Sequence, residues 1–223
     1  MVGIIQVSPV QRAVNLVPQY LSRCWGFSFG AAKWVIVSLK CARYVRHSIQ
    51  ESNARIREIG TSEMKPITWL LDVDGVINAS RPGWSKAPLS GNAYADGYSY
   101  RMRWSSDLIG RIRAVHDTGF VNILWATTWV GHTDQLEKLF RLPAFNSARS
   151  QSMATPYKRM AAEDVVDSGR KLIWTDDEAI PTAGAVHFKL VAHGSLLIAP
   201  KPSRGLRPEH LDEIDRYVVE YGP

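Results

Sequence analysis

Cysteine is scarce in this chain of 223 residues: Cys24 and Cys41 are the only two. Two thiols cannot build a disulfide framework or a cysteine-rich zinc site, and they fit a reducing, cytoplasmic compartment. Acids are missing from one end. Residues 1–50 hold six Lys/Arg and no Asp or Glu, so the rest of the chain carries 21 of each sign. The formal net charge of +6 therefore belongs to the leader, and it gives little support for a wide nucleic-acid surface elsewhere. Long apolar runs are missing too. A bilayer span needs about twenty apolar residues, whereas the apolar stretch over 31–39 is short and interrupted by Lys33. No membrane span is expected. Nor is there a basic start followed directly by an apolar core and a small-residue cleavage site, as a secretory signal requires. Internal repeats and long low-complexity tracts are absent.

What the chain does have is an apolar run that ends in acids. Trp69-Leu70-Leu71-Asp72-Val73-Asp74-Gly75 has the pattern of a buried parallel strand. Side chains alternate along a strand, so Asp72 and Asp74 fall on one side. Gly75 lets the chain turn sharply out of the sheet. Like charges so placed are costly unless a cation or a phosphoryl-transfer site uses them. A second apolar run, 123–126, ends at Thr127, Thr128 and Trp129, and a third, 172–175, ends at Asp176, Asp177 and Glu178. Lys158 lies between those two runs, at the start of a helical pattern. Sites in open α/β sheets form at the carboxyl ends of strands, where these groups would converge.

This order resembles the haloacid dehalogenase (HAD) superfamily of phosphohydrolases. Its first motif, Asp-x-Asp-Gly, is matched by Asp72 to Gly75. Its second, a strand ending in Ser or Thr, is matched at Thr127, with Thr128 as the rival. Its lysine is matched by Lys158, and its paired acids by Asp176 and Asp177. The resemblance covers roughly residues 66–221. More narrowly, Trp-Ala-Thr-Thr-Trp, Trp-Thr-Asp-Asp-Glu and the late Gly205-Leu206-Arg207-Pro208 look like a compact branch found as stand-alone bacterial and phage proteins and within RNA-repair proteins. The resemblance implies that Asp72 is a nucleophile and Asp74 a general acid and base. It implies that Thr127 and Lys158 assist the phosphoryl group. It also implies that Mg²⁺ is held by Asp72, the backbone carbonyl of Asp74, and an acid of the Asp176/Asp177 pair. Lys171 is a rival lysine, but five strand residues would set it about 16 Å from Asp176. The expected activity is hydrolysis of phosphate monoesters, with nucleotides or nucleic-acid ends as leading substrates. A small-metabolite phosphatase and an idle phosphate-binding module are the alternatives. Trp129 could stack a nucleobase. Arg103, with Arg101, could reach a substrate phosphate.

The chain divides into a basic, acid-poor extension over 1–63 and a catalytic domain over 64–223. The extension could be a surface-lying amphipathic helix, a packed helical subdomain, or a segment with no stable role. Met64 precedes the first catalytic strand, so an initiation site misassigned upstream is a further possibility. The expected fold is a doubly wound α/β domain with a mainly parallel sheet and a small hairpin flap. Strands are expected over 67–73, 121–126, 171–175 and 196–199. Asp96-Gly97 marks a hairpin within the 78–104 insertion. Ser105 or Ser106 caps a helix over 107–116, and Asp134 with Glu137 resembles a capping box for a helix through Leu142. Further helices are expected over 157–166 and from Pro208 through Tyr221.

Overall fold

The structure is a computed structural model that describes residues 65–149 and 154–222. The readings of the 1–63 extension lie outside those residues. Among the described residues seven strands and five helices follow in order: β1 (Ile67–Leu71), β2 (Leu89–Ala95), β3 (Tyr98–Trp104), α1 (Ser106–Asp117), β4 (Val121–Trp125), α2 (Thr133–Phe140), β5 (Asn146–Ser147), α3 (Thr155–Asp167), β6 (Leu172–Thr175), α4 (Gly184–Ala192), β7 (Leu196–Ile198) and α5 (Pro208–Tyr221). Among the described residues no helix is long and apolar enough to cross a membrane.

Five strands form one parallel sheet in the order β5-β4-β1-β6-β7. β1 is buried along its whole length because it is central and covered on both faces. Its alternation divides the core. Ile67, Trp69 and Leu71 pack with α1, α5, α2 and the hairpin, whereas Leu70 packs with α3 and α4. This is a Rossmann-like arrangement. The chain runs outward from β1 through β4 and β5, then returns to add β6 and β7 on the other side. That reversal beside β1 is where open sheets leave a crevice for ligands.

Each of three adjacent strands buries one tryptophan: Trp69, Trp174 and Trp125. Buried indole usually finds an acceptor; two of these three do, and the Trp174 N–H has none among the described residues. Trp69 donates to the Thr175 hydroxyl at 3.0 Å, which pins β1 to β6. Trp125 donates to Glu137 at 2.9 Å, and the same carboxylate oxygen accepts the Phe145 N–H at 2.9 Å. The expected capping box at Asp134 and Glu137 is therefore absent. Glu137 turns inward, and α2 starts from His132 with no side-chain cap. At α1 the cap is Ser105, whose hydroxyl accepts from Asp107 and Leu108.

The insertion after β1 contains the antiparallel hairpin β2–β3, closed by Asp96 and Gly97 at φ 51° and 83°. A two-residue loop with both residues left-handed is a type I′ turn, matched to strand twist. The hairpin is docked rather than free. Ala93, Met102 and Trp104 join the core. The Gln135 amide pairs with both the N–H and C=O of Tyr94, at 2.7 and 2.5 Å. Two elements were not expected: β5, which has two residues, and α4, whose Phe188 and Val191 stay exposed.

Glu137 carries a testable consequence. Glu137→Ala leaves two interior donors unsatisfied and should cost about 2–4 kcal/mol in chemical denaturation. Glu137→Gln keeps an acceptor and should cost clearly less.

Candidate active site

The carboxyl ends of β1 and β6 meet α3 in one cavity of about 310 Å³, lined by Asp72, Asp74, Thr128, Ala154, Thr155, Lys158, Asp176, Asp177, Glu178 and Ala179. Asp72 directly follows β1 and is 5 % exposed; Asp176 directly follows β6 and is fully buried. Lys158 sits on the first turn of α3 and reaches between them. Its ammonium donates to Asp72 Oδ2 at 2.5 Å and to Asp176 Oδ2 at 2.7 Å. The other oxygen of each acid takes backbone donors. Asp72 Oδ1 accepts from Val73 N at 2.7 Å, and Asp176 Oδ1 accepts from Glu178 N and Ala179 N. Every buried charge is thus both paired and hydrogen-bonded, which its burial demands.

Asp177 is half-buried and completes an acidic trio. Asp72, Asp176 and Asp177 each offer an oxygen within 4.8 Å of the others. Gly75 explains how Asp177 comes so close. Gly75 has φ +69°, and a Cβ there would lie 2.2 Å from the Asp177 carboxyl carbon. Only glycine meets both conditions. Fully ionised, three carboxylates beside one ammonium leave two negative charges, which a divalent cation would balance. The donors are all hard oxygens, the set that suits Mg²⁺, Mn²⁺ or Ca²⁺. The residues present therefore fit such an ion. Asp176 is already engaged by Lys158 and two N–H groups, which leaves Asp177 the readier donor of that pair.

Burial sets the electrostatics. It pushes the Asp72 carboxyl up to about 7, against the downward pull of Lys158 and with an upward push from Asp176. Burial also raises Asp177. It pulls Lys158 down, but Asp72 and Asp176 more than offset it, and the ammonium ends above the ordinary lysine range.

Asp74 is exposed on the turn after β1, yet both its oxygens are held. Asn78 Nδ2 donates to Oδ1 at 2.7 Å, and the Trp129 indole donates to Oδ2 at 2.8 Å. Trp129 is 5 % exposed and meets the edge of Tyr100, so little ring surface is left for a stacking base. Thr127 is fully buried, with its hydroxyl 3.4 Å from the Trp129 N–H that it accepts. Thr128 is exposed and lines the cavity. Arg103 lies on the exposed face of β3 and is not among the lining residues. Lys171 is at the opposite end of β6, bonded to the His193 carbonyl and lying over the Tyr221 ring. Asn78 is the contributor that sequence reasoning passed over. A short amide four residues after an aspartate was the available signal.

No family model, curated protein or solved structure matches the chain.

The raised Asp72 has a defined consequence for stability. Between about pH 4 and about pH 7 the folded, metal-free protein keeps a proton that the unfolded chain has released. Stability then falls as pH rises through that window and levels off above it. Asp72→Asn does not titrate there and should flatten the slope. Chemical denaturation in chelator from about pH 4 to about pH 8 measures the difference between the two proteins.

Proposed function

We propose that this chain is a magnesium-dependent phosphomonoester hydrolase of the HAD-like kind, acting through an aspartyl-phosphate on Asp72. One observation carries the reading: a buried carboxylate at the end of the central strand, ion-paired to Lys158, with a second acid two residues on and two further carboxylates, Asp176 and Asp177, beside it. An isolated carboxylate is a weak nucleophile toward a phosphate dianion, so charge must be managed at the site.

Asp72, at the switch point of the sheet, attacks phosphorus, and the phosphorus–oxygen bond to the leaving group breaks. Asp74 gives that oxygen its proton. Water then attacks the aspartyl-phosphate, Asp74 takes a proton from it, and inorganic phosphate leaves as Asp72 is restored. Lys158 holds Asp72 in place and offsets charge throughout. Thr128 is the hydroxyl available to a phosphoryl oxygen from the cavity wall, and Thr127 supports the turn beneath it. Asp72 and Asp177, with the Asp74 carbonyl, would hold Mg²⁺. When bound, that ion supplies positive charge to the transferring phosphoryl group.

A cavity of about 310 Å³ is at the small end for ligand sites. It accommodates a phosphoryl group with room for the adjoining part of the ester, and it opens to solvent beyond. That suits a terminal phosphate on a larger molecule, such as a nucleotide or a nucleic-acid end.

Asp72→Asn should fall to background on a chromogenic phosphate ester, and Asp74→Asn should fall about 10²- to 10⁴-fold. Chelation should stop turnover and Mg²⁺ restore it, with Ca²⁺ a poor substitute because of its longer bonds and higher ligand number. More than a tenth of wild-type turnover in Asp72→Asn would remove the covalent route. Gly75→Ala must displace Asp177, and should weaken Mg²⁺ binding by calorimetry about 10- to 100-fold, the range seen when a ligand loses its support.

A further inference from the structure

Asp74 combines two properties that rarely go together. It is exposed, yet each carboxylate oxygen has its own donor, from residues with different attachments. Asn78 is anchored on both sides. Its carbonyl oxygen accepts the Arg103 N–H of β3 at 2.9 Å, and its backbone oxygen accepts the Gly75 N–H at 2.9 Å. The next residue, Ala79, donates its N–H to the Arg103 carbonyl at 3.0 Å. Trp129 follows the end of β4, and Tyr100 of β3 meets its ring at 5.3 Å and 82°. Both donors to Asp74 therefore rest on the same strand of the hairpin.

We infer that Asn78 and Trp129 are positioning residues for Asp74, and that the docked β2–β3 hairpin sets the orientation of the acid–base carboxylate. The inference rests on the phosphatase reading above. An exposed aspartate without such donors rotates freely about χ1 and χ2. Two donors on opposite oxygens stop both rotations. Proton transfer demands that order, because misplacement by about 1 Å costs on the order of 10²-fold in rate. A purely structural role for the Trp129 N–H would satisfy the indole but would not need Asn78 on the other oxygen. Nor would it need both donors braced on β3. The hairpin thereby does more than cover one side of the sheet. It acts on the chemistry through two side chains whose hydrogen bonds go to Asp74 and not to the acidic trio.

The test uses leaving groups of different basicity. An alkyl phosphate needs its leaving oxygen protonated, whereas 2,4-dinitrophenyl phosphate departs as a stable anion and does not. The quantity to compare is kcat/KM, which stops at formation of the aspartyl-phosphate and excludes the later hydrolysis common to both esters. Trp129→Phe keeps the ring packing and removes the N–H. It should lower kcat/KM on the alkyl ester at least about tenfold more than on the dinitrophenyl ester, a part of the full general-acid contribution. Asn78→Ser, which leaves the core intact, should show the same bias and provides the reading if Trp129→Phe does not fold. Equal losses on the two esters, or no loss on either, would overturn the inference and leave the phosphatase reading standing. A wild-type protein inactive on both esters with Mg²⁺ would overturn the phosphatase reading, and this inference with it.

Discussion

One buried ammonium holds this site together. Lys158 joins the end of β1 to the end of β6 through Asp72 and Asp176, and all three side chains are almost fully withdrawn from water. Two carboxylates at adjacent strand ends would repel each other in a medium that screens poorly. The ammonium between them reverses the sign of that interaction. It can do so because Pro156 and Thr155 open α3 at the right level of the sheet, which brings Lys158 into the first turn. Removing Lys158 strands two buried carboxylates, a loss typically larger than the net gain from the intact pair. The two acids therefore depend on the ammonium more than it depends on either of them.

The rest of the site is built outward from that contact. Asp177 stands one residue beyond Asp176 and closes against Gly75, so the loop after β6 and the loop after β1 fit each other at the level of a missing methyl group. Asp74 lies beyond Gly75 and is governed by side chains from the hairpin and from the end of β4. Charge decreases in burial along this path, from the sealed triad to half-exposed Asp177 and then exposed Asp74. The ion-paired acids are inside, and Asp177 and Asp74, with no lysine partner among the described residues, stand nearer the rim.

Much of this was legible in the chain, for reasons that differ by residue. The strands ending at Asp72 and Asp176 announced themselves because central parallel strands are apolar throughout and their termini are not. Asp96-Gly97 and Pro208 were legible because their backbone preferences are local. Glu137 was misread because a capping box and an inward-facing glutamate share the same spacing, and only the neighbouring Trp125 and Phe145 donors decide between them. Helix α4 went unseen because it buries only Leu190 and carries no polar-apolar rhythm. Within the site, Thr127 was preferred to Thr128 only as the first hydroxyl after the apolar run, since strand alternation stops just before both, at Trp125. The hold on Asp74 was invisible because Trp129 lies 55 residues away in sequence.

The strand order carries a consequence for how the molecule comes into being. β1 is made early but sits in the middle, and its two neighbours arrive from opposite directions along the chain. Asp72 meets Lys158 across 86 residues, and Lys158 meets Asp176 across another 18. Loops of that length are slow to close, and parallel pairings over such separations form late. Asp72 at the end of β1 has its counter-charge only where α3 is in place. The acidic cluster thus belongs to no single segment, and it is complete only when α3 and β6 both lie beside β1.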